Sequence, residues 1–246
     1  MKRIKMIVAY EGTNYCGWQI QPNGITVEEI LNTTLSKLLN EPIKIAGASR
    51  TDSGVHALGN VAVFNTNTPI PGDKIAFALN RVLPEDIRIQ GSCEVEEDFH
   101  PRFCKSTKTY EYKIINRTFN IPTLRRTAYF VHYTIDVDLM REAANYLVGR
   151  HDFKSFATAK PEVTNTVREI YSITIEEAEG MIAIRVKGGG FLYNMVRIIA
   201  GTLLQVGMKR ISPNEIETIL LGEDRELAGP TAPANGLTLI NIEFEE

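Results

Sequence analysis

The residues best suited to chemistry lie in one short polar run, Ala48-Ser49-Arg50-Thr51-Asp52-Ser53-Gly54-Val55-His56. It offers one carboxylate, Asp52, and one guanidinium, Arg50, two positions apart. A polar loop held between two strands is where reactive side chains tend to be displayed. Asp-Ser-Gly is also ordinary turn material, because Asp can bond its own backbone two residues on and Gly accepts positive φ. A plain connecting turn and a functional carboxylate are therefore both compatible with these nine residues.

A second set of candidates lies further along. Arg197 falls in the middle of the apolar helix expected at residues 191–206, where a permanently charged guanidinium is costly unless an anion pairs with it. A loop carboxylate such as Asp52 would satisfy that need, as would a purely architectural ion pair. Tyr193 is one helical turn before Arg197, and Gly188-Gly189-Gly190 would allow close approach to the start of the expected helix. Tyr110 stands in a basic stretch and reads equally well as a strand aromatic packed on a helix. Tyr15 and Trp18, in a glycine-containing loop, could stack on bases or pack against the next helix.

Other chemistries find no support in the spacing. His56, His100, His132 and His151 show no metal-ligand pattern, and His151-Asp152-Phe153 reads as a helix-end cap and packing cluster. There is no GxxxxGK[ST] or GxGxxG phosphate loop, no G-x-S-x-G elbow, and no second carboxylate placed to work with Asp52 as a glycosidase pair.

The elements that must position these residues follow from periodicity. Residues 2–10 alternate into a strand; a capping box at Thr26-x-x-Glu29 opens a helix that Pro42 ends; residues 43–47 form a strand before the polar loop, and Val61-Ala62-Val63-Phe64 one after it. A helix after Asp73, stopped by Pro84, and a strand at residues 86–95 complete a β-α-β-β-α-β unit. The order then recurs: a strand at 108–116, a helix at 138–148 with Gly149 as its stop, a hairpin of 167–175 with 181–186, a nearly all-apolar helix at 191–206, a short extra helix opened by Ser212-Pro213-Asn214-Glu215, and a strand at 236–244. The expected fold class is α+β: two tandem ferredoxin-like units with antiparallel sheets and a cleft between them. The first domain would span residues 1–104 and carry the Asp loop, and the second 105–246.

Composition narrows the function classes. The 246 residues are 43% hydrophobic, enough for a packed core, with a net charge of −3. The basic residues are segregated: seven Lys or Arg against Glu111 alone between Pro101 and Arg126, five and no acid between Met181 and Arg210, and eight acids against one Arg after Asn214. Local potential of this kind, more than net charge, attracts a phosphate backbone. No run of about 18 apolar residues is present, and the basic start leads into an alternating strand, so a cytoplasmic location is expected. Cys16, Cys93 and Cys104 form no CxxC pair and are expected to be free thiols.

The polar run, with Ala57 after it, resembles the GRTDxGVHA signature of the TruA-type tRNA pseudouridine synthases. The resemblance extends over nearly the whole chain: Tyr10-Glu11-Gly12-Thr13-x-Tyr15-x-Gly17-Trp18-Gln19, Lys108-Thr109-Tyr110-Glu111-Tyr112, Gly149-x-His151-Asp152-Phe153-x-x-Phe156, Phe191-Leu192-x-x-Met195-Val196-Arg197 and Gly236-Leu237-x-Leu239 follow in the family's order. Ser49 stands where the family commonly has Gly, and Asn60 where it has Gln. The resemblance implies isomerisation of uridine to pseudouridine at positions 38, 39 and 40 of the tRNA anticodon stem-loop, by a homodimer, with no cofactor or metal. It gives Asp52 the catalytic role and Arg197 that of pairing with the carboxylate. Tyr110 would lie against the uracil, Leu237 on the pocket wall, and Arg50 would hold the phosphate of a nucleotide drawn out of its stack. A non-catalytic RNA-binding module and a hydrolase using Asp52 on a glycosidic bond are the competing readings.

Overall fold

The computed structural model describes residues 1–158 and 163–245. The chain divides into two compact units, Met1–Ser106 with Leu239–Glu246, and Thr107–Thr238. Both are mixtures of helices and mainly antiparallel strands.

In the first unit, β1 (Lys2–Tyr10) alternates as a half-buried strand must: Ile4, Met6 and Val8 are fully buried, and the residues between them are not. Thr26 caps α1 (Val27–Leu39), its Oγ1 accepting from the Glu29 backbone N–H at 3.3 Å. Val27, Leu31 and Leu35 form the buried stripe of that helix. β2 (Ala46–Gly47), β3 (His56–Thr66), α2 (Ile75–Leu79) and β4 (Ile87–Val95) complete the unit. The strand order is β4-β1-β3 with β2 on β3, all antiparallel, the ferredoxin-like arrangement expected from the β-α-β-β-α-β order.

Two elements are shorter than expected, for visible reasons. Residues 43–45 do not pair as a strand, because the Ile43 and Ile45 amides donate to Ser36 Oγ and Asn32 Oδ1 of α1, at 2.9 and 2.8 Å. The helix α2 stops at Leu79 because the Asn80 side chain bonds both the N–H and the carbonyl of Ile89, each at 2.8 Å.

The second unit contains β5 (Ser106–Asn116), β6 (Tyr129–Val131), α3 (Val137–Asn145), β7 (Gly149–Asp152), β8 (Val167–Ala178), β9 (Met181–Gly188), α4 (Met195–Gly207) and α5 (Glu215–Gly222). Its strands run in the order β5-β9-β8-β7, antiparallel throughout, with β6 parallel to β5. α4 is the core helix, with Met195, Ile198, Ile199, Leu203 and Val206 fully buried. It begins four residues later than the apolar pattern predicts, since Asn194 sits at φ 61 and residues 191–194 are not helical. Gly149, expected to stop α3, instead opens β7, so His151 and Asp152 belong to a strand rather than a helix-end cap.

The closing strand β10 (Leu237–Phe244) is shared between the units by residue: Leu239 onward belongs to the first. There Phe244 meets Phe99 edge-on at 5.1 Å and Glu245 pairs with Lys105 at 2.7 Å. Residues 239–246, which the sequence reading puts in the second domain, thus group with the first unit.

Candidate active site

The Asp52 loop leaves β2 and returns as β3, and its ends are fastened by one side chain. Asn60, fully buried on β3, accepts from the Ser49 N–H through Oδ1 (3.3 Å) and donates to the Ser49 carbonyl through Nδ2 (3.0 Å). Oδ1 also accepts from the Val61 N–H at 2.9 Å. The Ala48 N–H donates to the Val61 carbonyl at 2.7 Å, so both residues at the loop's entry are locked onto β3. An amide side chain is suited to this task because it donates and accepts at once.

The middle of the loop is fastened to residues 10–18. Thr51 Oγ1 and the Tyr10 hydroxyl are hydrogen-bonded at 2.7 Å, and the Trp18 N–H donates to the Thr51 carbonyl at 3.0 Å. The Ser53 hydroxyl and the Gly54 N–H both reach the Tyr15 carbonyl, at 3.3 and 3.4 Å. At the loop's end, His56 Nδ1 accepts from the Gly12 N–H at 2.9 Å, so that nitrogen carries no proton. His56 thus has a structural duty, and it is buried. Between these ties, the Val55 N–H donates to the Asp52 carbonyl at 3.1 Å and Gly54 adopts φ +79, closing the turn that Asp-Ser-Gly predicts. Thr51, Val55 and His56 are buried while Asp52 is half-exposed and Arg50 exposed. The turn therefore presents the carboxylate from an anchored frame.

Gly17 shows how close the two segments lie. Its φ is +85, and a Cβ there would come within 2.6 Å of the Thr51 carbonyl oxygen. Of the two fates open to Tyr15 and Trp18, stacking on bases or packing, burial in the structure favours packing. The indole sits against Gly47 and Tyr10, and the Tyr15 hydroxyl donates to Asp86 at 2.5 Å. Burial, reinforced by that carboxylate, holds the Tyr15 phenol well above its ordinary value.

The second unit positions Tyr110, Arg197 and Leu237. Tyr110 lies on β5 opposite Val186, almost wholly buried, with its ring edge-on to Phe191 at 5.3 Å. Arg197 occupies the first turn of α4, not its middle, and is half-buried. Its Nε donates to the Ala232 carbonyl at 2.8 Å and its Nη1 to Asn194 Oδ1 at 2.9 Å, which fixes the plane of the guanidinium. A cation at the positive end of a helix is unfavourable by itself, so the position favours an anionic companion. Tyr193 precedes the helix and is exposed, so it does not share a helical face with Arg197. Leu237 is buried at the start of β10, immediately after Gly236, whose backbone lies against the Tyr112 ring. The Tyr112 hydroxyl donates to the Pro233 carbonyl at 2.9 Å, and burial raises its phenol above the ordinary value despite the opposing charge of Arg197.

Arg50 and Asp52 thus share one loop of the first unit, and Tyr110, Arg197 and Leu237 belong to the second. Sequence reasoning overlooked Tyr10 and Thr51 as loop anchors and Asn194 as the residue that orients Arg197. A signal existed for Asn60: it is the amide that borders the apolar run Val61-Ala62-Val63-Phe64 on the side of the polar loop. Among the described residues no group of three or more His, Cys, Asp or Glu is placed to hold a metal ion, and no helix is long and apolar enough to cross a membrane.

A sequence profile described as tRNA pseudouridine synthase matches residues 6–104 and 143–245. The chain is 47% identical to tRNA pseudouridine synthase A of Thermoanaerobacter pseudethanolicus over 242 residues, covering 98% of this chain and 99% of that protein. The enzyme of the same name from Ruminiclostridium cellulolyticum is 48% identical over 245 residues, 99% of this chain and 100% of the relative, and that of Bacillus pumilus 45% over 245 residues, 99% of each. Similarity of this extent, carried through both units and through the Asp52 loop, places the chain in the tRNA pseudouridine synthase family.

Proposed function

We propose that the protein converts uridine to pseudouridine at positions 38, 39 and 40 of the tRNA anticodon stem-loop, with Asp52 acting on the ribose. The observation that carries this reading is the anchored turn that leaves Asp52 half-exposed while its neighbours Thr51 and Val55 are buried. The reaction breaks the C1'–N1 bond, turns the uracil, forms C1'–C5, and moves a proton from C5 to solvent while N1 gains one. Substrate and product are isomers, so no oxidant, reductant or co-substrate is consumed.

Each remaining residue then has a task that its surroundings suit. Arg50, exposed two residues from Asp52, takes the phosphate of the nucleotide drawn out of its stem. Tyr110, fixed by Phe191, offers its ring to the uracil and its hydroxyl to the C5 proton. Arg197, oriented by Ala232 and Asn194, stabilises negative charge in the catalytic group. Leu237 gives the base an apolar wall. We assign the active form as a cytoplasmic homodimer whose basic stretches hold one tRNA together; sedimentation with and without tRNA tests its stoichiometry.

Unmodified tRNA transcripts incubated with the protein, treated with carbodiimide and mapped by primer extension provide the test. New stops at positions 38 to 40 are expected. Stops elsewhere would overturn the positional assignment; free uracil would establish the hydrolase, and tRNA binding without either product the binding module.

A further inference from the structure

We propose that Arg102, together with Arg50, forms a site for a backbone phosphate of the RNA strand at the entrance to the Asp52 loop, with Phe103 as the platform for an adjacent unstacked base. The inference rests on the RNA-modifying reading above and adds Arg102 and Phe103 to Arg50, the phosphate-holding residue already named. Arg102 is far from the loop in sequence, but its Nε donates to the carbonyl of Gly47 at 2.9 Å. Gly47 is the last residue of β2, immediately before the loop, and Arg50 is three positions further on. A guanidinium whose Nε is held in this way is fixed in orientation while its two terminal amino groups point away from the anchor, the fork that suits a phosphate.

The charges around it are unbalanced. Arg50 is exposed and makes no hydrogen bond or ion pair with any other described residue. Burial and then the charge of Arg50 draw the Arg102 guanidinium below its ordinary value, while Glu28 offsets this only as the smallest influence. Glu28 is itself buried and its Oε2 accepts from the Ile20 N–H at 3.0 Å. Two guanidinium groups that repel each other beside one engaged carboxylate form a place where a dianionic or monoanionic oxygen group relieves the repulsion.

The neighbouring turn adds an aromatic surface. The N–H groups of Phe103 and Cys104 both donate to the His100 carbonyl, at 3.0 and 3.1 Å, and the Arg102 N–H donates to His100 Nδ1 at 3.2 Å. This turn stacks the His100 ring on Phe103 at 4.2 Å and 24°. One face of Phe103 is thus covered while the residue remains 85% exposed, an unusual fate for a phenylalanine and a suitable one for stacking a base. A fixed cation pair next to a braced aromatic matches the repeating chemistry of a single-stranded or splayed RNA segment, anionic phosphate followed by planar base.

The test is filter binding of an unmodified tRNA transcript over a series of salt concentrations, with turnover measured separately by tritium release. Arg102→Gln is expected to reduce the slope of log affinity against log salt by roughly 0.7 to 0.9, the loss of one phosphate contact. Arg102→Lys, which keeps the charge, should restore most of the slope. The double variant Arg50→Gln/Arg102→Gln should lose no more slope than either single change, because one phosphate is shared. Phe103→Ala, which touches neither guanidinium anchor, should weaken binding by about tenfold with the slope intact. If Arg102→Gln lowers the melting temperature and leaves the slope unchanged, Arg102 only latches Gly47 and the proposal is overturned. Affinity unchanged in Phe103→Ala would remove the base platform. A native protein that binds with the predicted slopes but yields no pseudouridine would refute the catalytic reading and leave this site standing; absence of tRNA binding would overturn both.

Discussion

Replacing Asn60 by Ala tests whether the Asp52 loop is held by one buried amide. The native side chain satisfies the Ser49 N–H and the Ser49 carbonyl at 3.3 and 3.0 Å, and it is fully buried. Alanine leaves both backbone groups without these partners in a site that Ser49 itself keeps closed to solvent. Losing a partner costs a buried polar group about 1–3 kcal/mol, so the loss of these two bonds predicts about 2–5 kcal/mol after partial relief by an entering water. For a chain of this size each kcal/mol is worth about 2–4 °C, which places the melting temperature roughly 4–20 °C lower. Thermal unfolding followed by circular dichroism measures the shift, and pseudouridine formation well below the transition measures the loop's placement. Turnover should fall more than tRNA affinity, since a displacement near 1 Å can cost on the order of a hundredfold in rate. Asn60→Asp keeps the size and the acceptor but cannot donate to Ser49 and buries a charge, so it should be no more stable than Asn60→Ala. A melting temperature within about 1 °C of native for Asn60→Ala would refute the anchoring argument.

The remaining predictions concern other points of the same frame. Gly17→Ala meets both positive φ and a 2.6 Å approach to the Thr51 carbonyl, so it should displace the loop and reduce turnover by at least about tenfold while the protein still melts cooperatively; native turnover in this variant would count against the close fit of the two segments. Arg197→Met should lower the rate constant far more than tRNA affinity, and parallel loss of both would assign Arg197 to binding alone. The carboxyls of Glu41 and Asp136 lie below their ordinary values of 4.5 and 3.8, held chiefly by the Thr66 hydroxyl and by Lys209. Groups depressed on folding stabilise the protein above those ordinary values, and the contribution is lost as pH falls through the lowered ones. Urea midpoints should therefore fall below about pH 4.5, and less steeply in Glu41→Gln/Asp136→Asn; identical acid limbs would contradict the assignment.

Much of the fold was legible because local pattern and tertiary packing agree. The alternation of Lys2 to Tyr10 and the Thr26 cap appear in the structure as read. The reading failed where a side chain took over a backbone partner. Ser36 and Asn32 claim the amides of Ile43 and Ile45, so a stretch with the pattern of a strand stays outside the sheet. At Phe191 and Leu192 the apolar periodicity continues through residues that are not helical, because burial outside a helix can leave the same sequence pattern as burial on one. The polar loop left Trp18 open to stacking or to packing on the next helix, and the indole instead fills the space beside Gly47, a contact between segments distant in sequence. Asp52 itself was legible from its turn chemistry and signature. The ties that hold it, through Tyr10, Thr51, Asn60 and His56, depend on pairings across 11 to 50 positions and could only be seen in three dimensions.

The central claim is that the Asp52 carboxylate carries the isomerisation. Tritium release from tRNA labelled at C5 of uridine, measured for the native protein and for Asp52→Ala at matched tRNA occupancy, tests it most directly. The account predicts release by the native protein and none above background by the variant, with tRNA affinity and melting temperature little changed. Release by Asp52→Ala at a rate within about tenfold of native would contradict it.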